Sequence, residues 1–246
     1  MKPLIKAEAR KLLTTRTAYG LLIGMLILSG PGIFMAGSTG VAELSRPVQD
    51  QVWFFVAAGF TRLLVVVLGI RSVTDEYGYG TIVPSLLVSP NRRRLLAAKA
   101  ITAGGAGLVF TLLAEALMVA VAAGVVVARG ADLTITSTTI RALTGMALAG
   151  LLWAVIGVAI GAIVRRQIPA IVGSLFWLMP GGGLEAIIGD QLGSNVRAYL
   201  PGNEGMALAL AADPRGLLWG TLVLTGYAAV LIVAGAFVMG RRDVAP

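Results

Sequence analysis

The sequence predicts an all-α integral membrane protein: six transmembrane helices, both termini cytoplasmic, an amphipathic N-terminal helix and a re-entrant outer segment. Composition is the first reason. Hydrophobic residues make up 57% of the 246 positions, 32 more are Gly, and only 13% are charged. A soluble domain has about 45–50% apolar residues with Gly counted and about a quarter charged. The mean hydropathy of +0.86 exceeds what one soluble core can bury. The second reason is a series of uncharged runs long enough to cross a bilayer, which takes roughly 20 residues each. The third is the alternating placement of Lys and Arg between those runs.

Residues 1–15 form a short basic helix with Ile5, Ala9 and Leu12 on one side, suited to the lipid surface. The first span, roughly 17–40, carries no charge and is too long and poorly ended for a cleaved signal peptide. The second, 51–71, is interrupted only by Arg62, and the third, 99–128, only by Glu115. The fourth, 142–164, is uncharged, and the fifth, 167–188, meets Pro180 and three Gly at 181–183. Such a run cannot continue a lipid-exposed helix unaided, so residues 181–213 are expected to be re-entrant or surface-lying. The sixth span is 216–240, and residues 1–246 make one transmembrane domain. Pro near the starts of three helices, with Ser89 and Asp213 as expected N-caps, supports these boundaries. Gly20/Gly24, Gly157/Gly161 and Gly216/Gly220 are spaced for close helix contact.

Orientation follows from charge. The N-terminal segment, the second loop, the fourth connection and the C-terminus hold 14 of the 20 basic residues with four acids. The opposite faces hold Arg46, Arg129, Arg141, Arg197 and Arg215 with seven acids. Both termini are therefore expected inside the cell.

The absences narrow the chemistry. No Cys excludes disulfides, thiolate metal sites and Cys nucleophiles, and no His removes the usual general base and triad. No Walker A sequence is present; Gly104, Gly105 and Gly107 lie inside the third span as packing residues. No catalytic, metal or cofactor residue is assigned. In a membrane chain the net charge of +8 reports topology rather than nucleic acid.

The second loop, 72–99, has the most shape: Asp75 and Glu76, a Gly-rich turn, a short apolar stretch with Ile82, Leu86 and Leu87, then Pro90 and three Arg. It reads as an in-plane helix pinned by Arg at the headgroups, or as a plain solvated loop. Glu76, Tyr77, Gly80, Thr81, Ile82, Leu86, Leu87, Pro90, Arg93 and Lys99 are spaced as in the permeases of the ABC-2 family of ATP-binding-cassette transporters, which the chain resembles. Glu8, Lys11 and Arg16 before the first span resemble that family's opening, and Pro180–Gly183 through Pro201 resembles its broken outer segment. The resemblance implies a permease subunit in a bacterial plasma membrane, paired with a second permease copy or paralogue. It implies two separate cytoplasmic ATPases that bind ATP and Mg. The loop between spans 2 and 3 would be the coupling helix, with Asp75, Glu76, Tyr77, Gly80, Thr81, Pro90 and Arg93 in contact with the motor. The family's substrates range from drugs and peptides to lipids and polysaccharides, and a hydrophobic or amphipathic export substrate is expected.

Arg62 and Glu115 fall near mid-membrane on consecutive helices, where a lone charge costs at least about 2.5–3.5 kcal/mol. They read as the lining of a transport route or as an ion pair, or Arg62 snorkels outward. An ion-coupled secondary transporter using Glu115 is the alternative function, and a lipid-modifying enzyme built on Asp75 and Glu76 a remoter one. A structural membrane subunit is the plainest.

Overall fold

The computed structural model describes residues 1–38, 46–128, 137–178, 187–188, 191, 199–202 and 214–241. Among these there is no strand, and eight helices follow one another. They are α1 (Lys2–Thr14), α2 (Arg16–Ser38), α3 (Arg46–Gly78), α4 (Ile82–Val88), α5 (Arg92–Ala128), α6 (Ser137–Val164), α7 (Gln167–Leu178) and α8 (Pro214–Arg241). Helices α2, α3, α5, α6 and α8 overlie five of the expected spans. Three segments, Arg92–Val121, Ser137–Val164 and Gly216–Arg241, are long and apolar enough to cross a bilayer, counting described residues only.

Two helices overrun the lengths their apolar runs suggest. Helix α3 has 33 residues and α5 has 37. At 1.5 Å per residue each reaches about 50 Å or more, against a hydrocarbon core of about 30 Å. Their polar ends stay helical because nothing in 72–78 or 92–98 breaks the backbone pattern. The break comes at Gly80, whose φ of +68° is a left-handed conformation that a residue with a Cβ adopts only at a cost. Helix α5 then starts one turn past the loop, with Asn91 rather than Ser89 as its cap: the Asn91 side-chain oxygen accepts the Arg94 N–H at 3.1 Å. Asp213 and residues 181–186, including the expected break, lie outside the described residues. The fifth span is described as a helix only as far as Leu178.

Helix α6 is the hub, packing against α3, α5 and α8, with 15 of its 28 residues buried. Small residues permit this. A Cβ on Gly69 of α3 would lie 2.1 Å from the Ala154 carbonyl oxygen, and one on Gly157 of α6 would lie 2.3 Å from that of Val66. On the other side of α6, a Cβ on Gly150 would strike the Thr111 hydroxyl at 2.0 Å. Without water to drive association, backbone-to-backbone approach of this kind supplies the packing. Of the three expected Gly pairs, Gly157/Gly161 meets α3, whereas Gly20, Gly24 and Gly216 face open space. The core runs through Val65, Val66 and Ile70 of α3, Phe110 and Ala114 of α5, and Trp153, Ala154 and Ile156 of α6. Helix α8 turns Leu218, Leu222, Val230, Val233 and Phe237 outward, an apolar face that suits lipid.

Candidate functional site

One end of the bundle collects α1, the α3–α5 connection, the α6–α7 turn and the C-terminus of α8. It is the basic end. Four charged side chains from three helices meet there. Lys99 of α5, 1% exposed, places its ammonium 2.8 Å from Glu8 Oε2, 2.9 Å from Glu76 Oε1 and 2.9 Å from the Ser72 carbonyl oxygen. It donates hydrogen bonds to Glu8 and the Ser72 carbonyl and forms an ion pair with Glu76. Lys11 of α1, half exposed, donates to Glu8 Oε1 at 2.8 Å, Glu76 Oε1 at 2.7 Å and Ser85 Oγ at 3.2 Å. Ser85 of α4 in turn donates to Glu76 Oε1 at 3.2 Å. Two carboxylates and two ammonium groups balance, so the cluster is neutral as a whole. It ties α1 to α3, α4 and α5.

Glu8 and Lys11 show the coupling in their acidity. Burial pushes the Glu8 carboxyl up, but Lys99 and Lys11 offset this and hold it below its ordinary 4.5. Burial likewise pushes Lys11 down, and Glu76 and Glu8 hold it above its ordinary 10.5. Both groups therefore favour their charged forms.

The residues singled out in the loop do not face one way. Glu76 faces inward and is buried in the cluster. Asp75 pairs with Arg71 one turn back at 3.1 Å. The Tyr77 ring lies under the Arg165 guanidinium, 5.3 Å from its centroid. Thr81 is exposed at the N-cap of α4 and makes no side-chain cap. Pro90 and Arg93 are exposed beyond α4, on a separate cleft. Sequence reasoning missed the outward face of α4 and its approach: Tyr79, Leu87 and Val88 are 77%, 78% and 84% exposed, with Val83 beside them. Their alternation with Ile82 and Ser85, which turn inward, was the available signal. Behind α4 a cavity of about 450 Å³ opens between Leu12, Leu21 and Leu68 on one wall and Lys11, Arg71 and Ser85 on the other.

Arg62 and Glu115 are both buried, but they form no ion pair with each other. Arg62 donates to the carbonyl oxygens of Gly202 at 2.7 Å and Leu178 at 2.9 Å, and sits 5.9 Å over the Trp153 ring. Leu178 is the last described residue of α7. Glu115 lies elsewhere along α6. Thr111 touches Gly150, so Glu115 comes level with Met146, while Arg62 is level with Trp153. That stagger of about seven residues is about 10 Å. The Glu115 Oε1 oxygen has no hydrogen-bond partner. The piece 199–202 is held from two sides, because Tyr227, halfway along α8, also donates to the Tyr199 carbonyl oxygen at 3.1 Å.

Among the described residues no group of His, Cys, Asp and Glu is placed to hold a metal ion. A glycine-zipped bundle of apolar helices with one ion-paired, basic end has the build of an integral membrane component. Residues 4–181 match the family described as ABC-2 family transporter protein, and the chain belongs to that family. Its members are the membrane components of transporters that work with ATP-binding-cassette subunits, and are not themselves catalytic. No curated protein matches the chain.

Proposed function

We propose that the chain is the permease subunit of an ATP-driven exporter of a hydrophobic or amphipathic substrate, with two separate cytoplasmic ATPases binding ATP and Mg. A second permease copy or paralogue completes the pore. The basic end is cytoplasmic, six spans cross a bacterial plasma membrane, and the segment after α7 re-enters it. The observation that carries the reading is the two-sided construction of α4. Its inward side is fastened through Ser85 and Ile82, and its outward side presents Leu87 and Val88 almost fully exposed. Exposed apolar clusters of this kind mark contacts with partners. In this arrangement α4 is the coupling helix, and its apolar face, rather than Asp75 or Glu76, touches the motor. Glu76 holds the loop in its docked shape. Tyr77, Gly80 and Thr81 shape the approach to α4, and Pro90 and Arg93 its exit.

The test is co-expression with the partner ATPase. Leu87→Glu with Val88→Glu should abolish co-purification of the ATPase while membrane insertion is unaltered. Glu76→Ala should keep assembly and lower transport-coupled ATP hydrolysis. Undiminished co-purification of the Leu87/Val88 variant would remove α4 as the docking face. A secondary transporter coupled through Glu115 is the second reading, favoured by that buried carboxyl's unpartnered oxygen. It requires Glu115→Gln to abolish gradient-driven uptake in the absence of ATP.

A further inference from the structure

At the basic end, away from the Glu8–Lys99 cluster, the N-terminus of α5 and the last turn of α8 enclose an open cleft of about 610 Å³. Arg92, Arg93 and Arg241 line it with Pro90, Asn91 and Phe237, and no described acid does. Arg92 is committed structurally: its guanidinium donates to the Met239 carbonyl oxygen. Arg165 likewise donates to the Val238 carbonyl oxygen at 2.9 Å. Both carbonyls belong to the last described turn of α8. These two caps fix the cleft walls and leave Arg93 and Arg241 to face it. Asn91 takes the Arg94 N–H, so those of Arg92 and Arg93 have no helical partner and add positive potential.

We propose that this cleft is a binding site for the phosphate of an anionic phospholipid in the adjoining leaflet. Three features select a lipid over a free anion. The cleft sits at the ends of two membrane-length apolar helices, which is headgroup depth. Phe237, 54% exposed, turns an apolar ring outward at the same place, where an acyl chain would lie. The Arg241 guanidinium stacks on that ring with its carbon 4.1 Å from the centroid, so cation and apolar surface are presented together. Arginine's forked donors suit a phosphodiester. A bound anion would also relieve the repulsion among three arginines drawn together by the caps. The site depends on the chain lying in a membrane, not on what it transports.

The experiment uses the purified full chain in neutral micelles and titrates phosphatidylglycerol carrying a fluorescent tail, with phosphatidylcholine as the comparison. A basic residue near an anionic surface is worth about a fivefold preference. Arg93→Gln with Arg241→Gln should therefore weaken phosphatidylglycerol binding about 30-fold, and Arg93→Lys, which keeps the charge and loses the fork, should weaken it less than Arg93→Gln does. Lys2→Gln with Lys6→Gln removes equal charge from α1 and should leave binding unaltered. Equal weakening by that control would reduce the effect to diffuse charge and overturn the site. Displacement of the lipid by millimolar inorganic phosphate would identify a free-anion site and overturn the lipid assignment. Asp243, two residues past Arg241 and outside the described residues, is tested by Asp243→Asn. Tighter or unchanged binding agrees with an anion site, and weaker binding contradicts it. If the double variant does not fold, each single Gln variant should still lose about fivefold.

Discussion

Replacing Lys99 by Met tests the charge cluster most directly. The substitution keeps the stem's length and apolar contacts and removes the ammonium. Lys99 is 1% exposed, and its ammonium pairs with Glu8 and Glu76 and donates to the Ser72 carbonyl oxygen. After the change two carboxylates, each less than a tenth exposed, are left with Lys11 alone, whose side chain is 50% exposed. Breaking a buried pair by removing one partner costs about 3–5 kcal/mol, because a buried charge is left uncompensated. Lys11→Met should cost much less, about 1 kcal/mol or below, since water replaces part of what is lost. Adding Glu8→Gln to Lys99→Met restores neutrality and should recover a large part of the loss. The assay is denaturant unfolding in mixed micelles, with proteolysis of α1 reporting local release. A loss under 1 kcal/mol for Lys99→Met, or a double variant as damaged as the two single losses added together, would refute the reasoning.

Release of α1 should depend on pH. Glu8 has a lowered folded-state pKa, so its contribution is present above 4.5 and is lost as pH falls through the folded value; protease should cut α1 faster below about pH 4.5. Lys11 has a raised value, so its contribution is present below 10.5 and is lost as pH rises through the folded value, which places alkaline release above 10.5. Proteolysis rates flat from pH 3 to pH 7 would contradict the acid limb. Gly157→Val should destabilise by at least about 3 kcal/mol, because the new Cβ meets the Val66 carbonyl oxygen at 2.3 Å and backbone cannot yield as a side chain does. Gly20→Val, where nothing lies within 4 Å, should stay within about 0.5 kcal/mol by the same thermal assay. Arg62→Met should loosen the piece 199–202, whose Gly202 carbonyl it holds, read as faster labelling of an introduced Cys at Tyr199, while Glu115→Gln leaves that labelling unaltered.

Helices were legible where a one-dimensional signal sufficed. Long uncharged runs located α2, α6 and α8 within a few residues, and the Gly-rich turn located the start of α4. The ends of α3 and α5 were misplaced because hydropathy marks where lipid stops, not where the helix stops. The four members of the charge cluster were all visible as Glu8, Lys11, Glu76 and Lys99, yet nothing in their spacing said that they meet. Positions 8 and 99 come together only because α1 folds back along α5, a tertiary fact. Arg62 failed for a different reason. Reckoning depth by counting inward from a span's end assumes both helices begin at the same level. Packing against α6 sets the levels instead: Arg62 of α3 comes level with Trp153 and Glu115 of α5 with Met146, about 10 Å apart.

The two buried charged sites on α3 solve one problem by different routes, and depth explains the choice. Glu76, at the polar end, is met by two ammonium groups, Lys99 buried beside it and Lys11 half exposed, whose long stem keeps access to water. Arg62 lies 14 residues, about 21 Å, up the same helix, where a second buried charge would add its own insertion cost. Its described partners there are the backbone carbonyls of Leu178 and Gly202, which away from water also need a donor. One guanidinium joined to both carbonyl oxygens serves a buried cation and two backbone acceptors at once. Neutralising Arg62 therefore exposes the carbonyls it serves, whereas neutralising Glu115 leaves no described hydrogen-bond partner stranded.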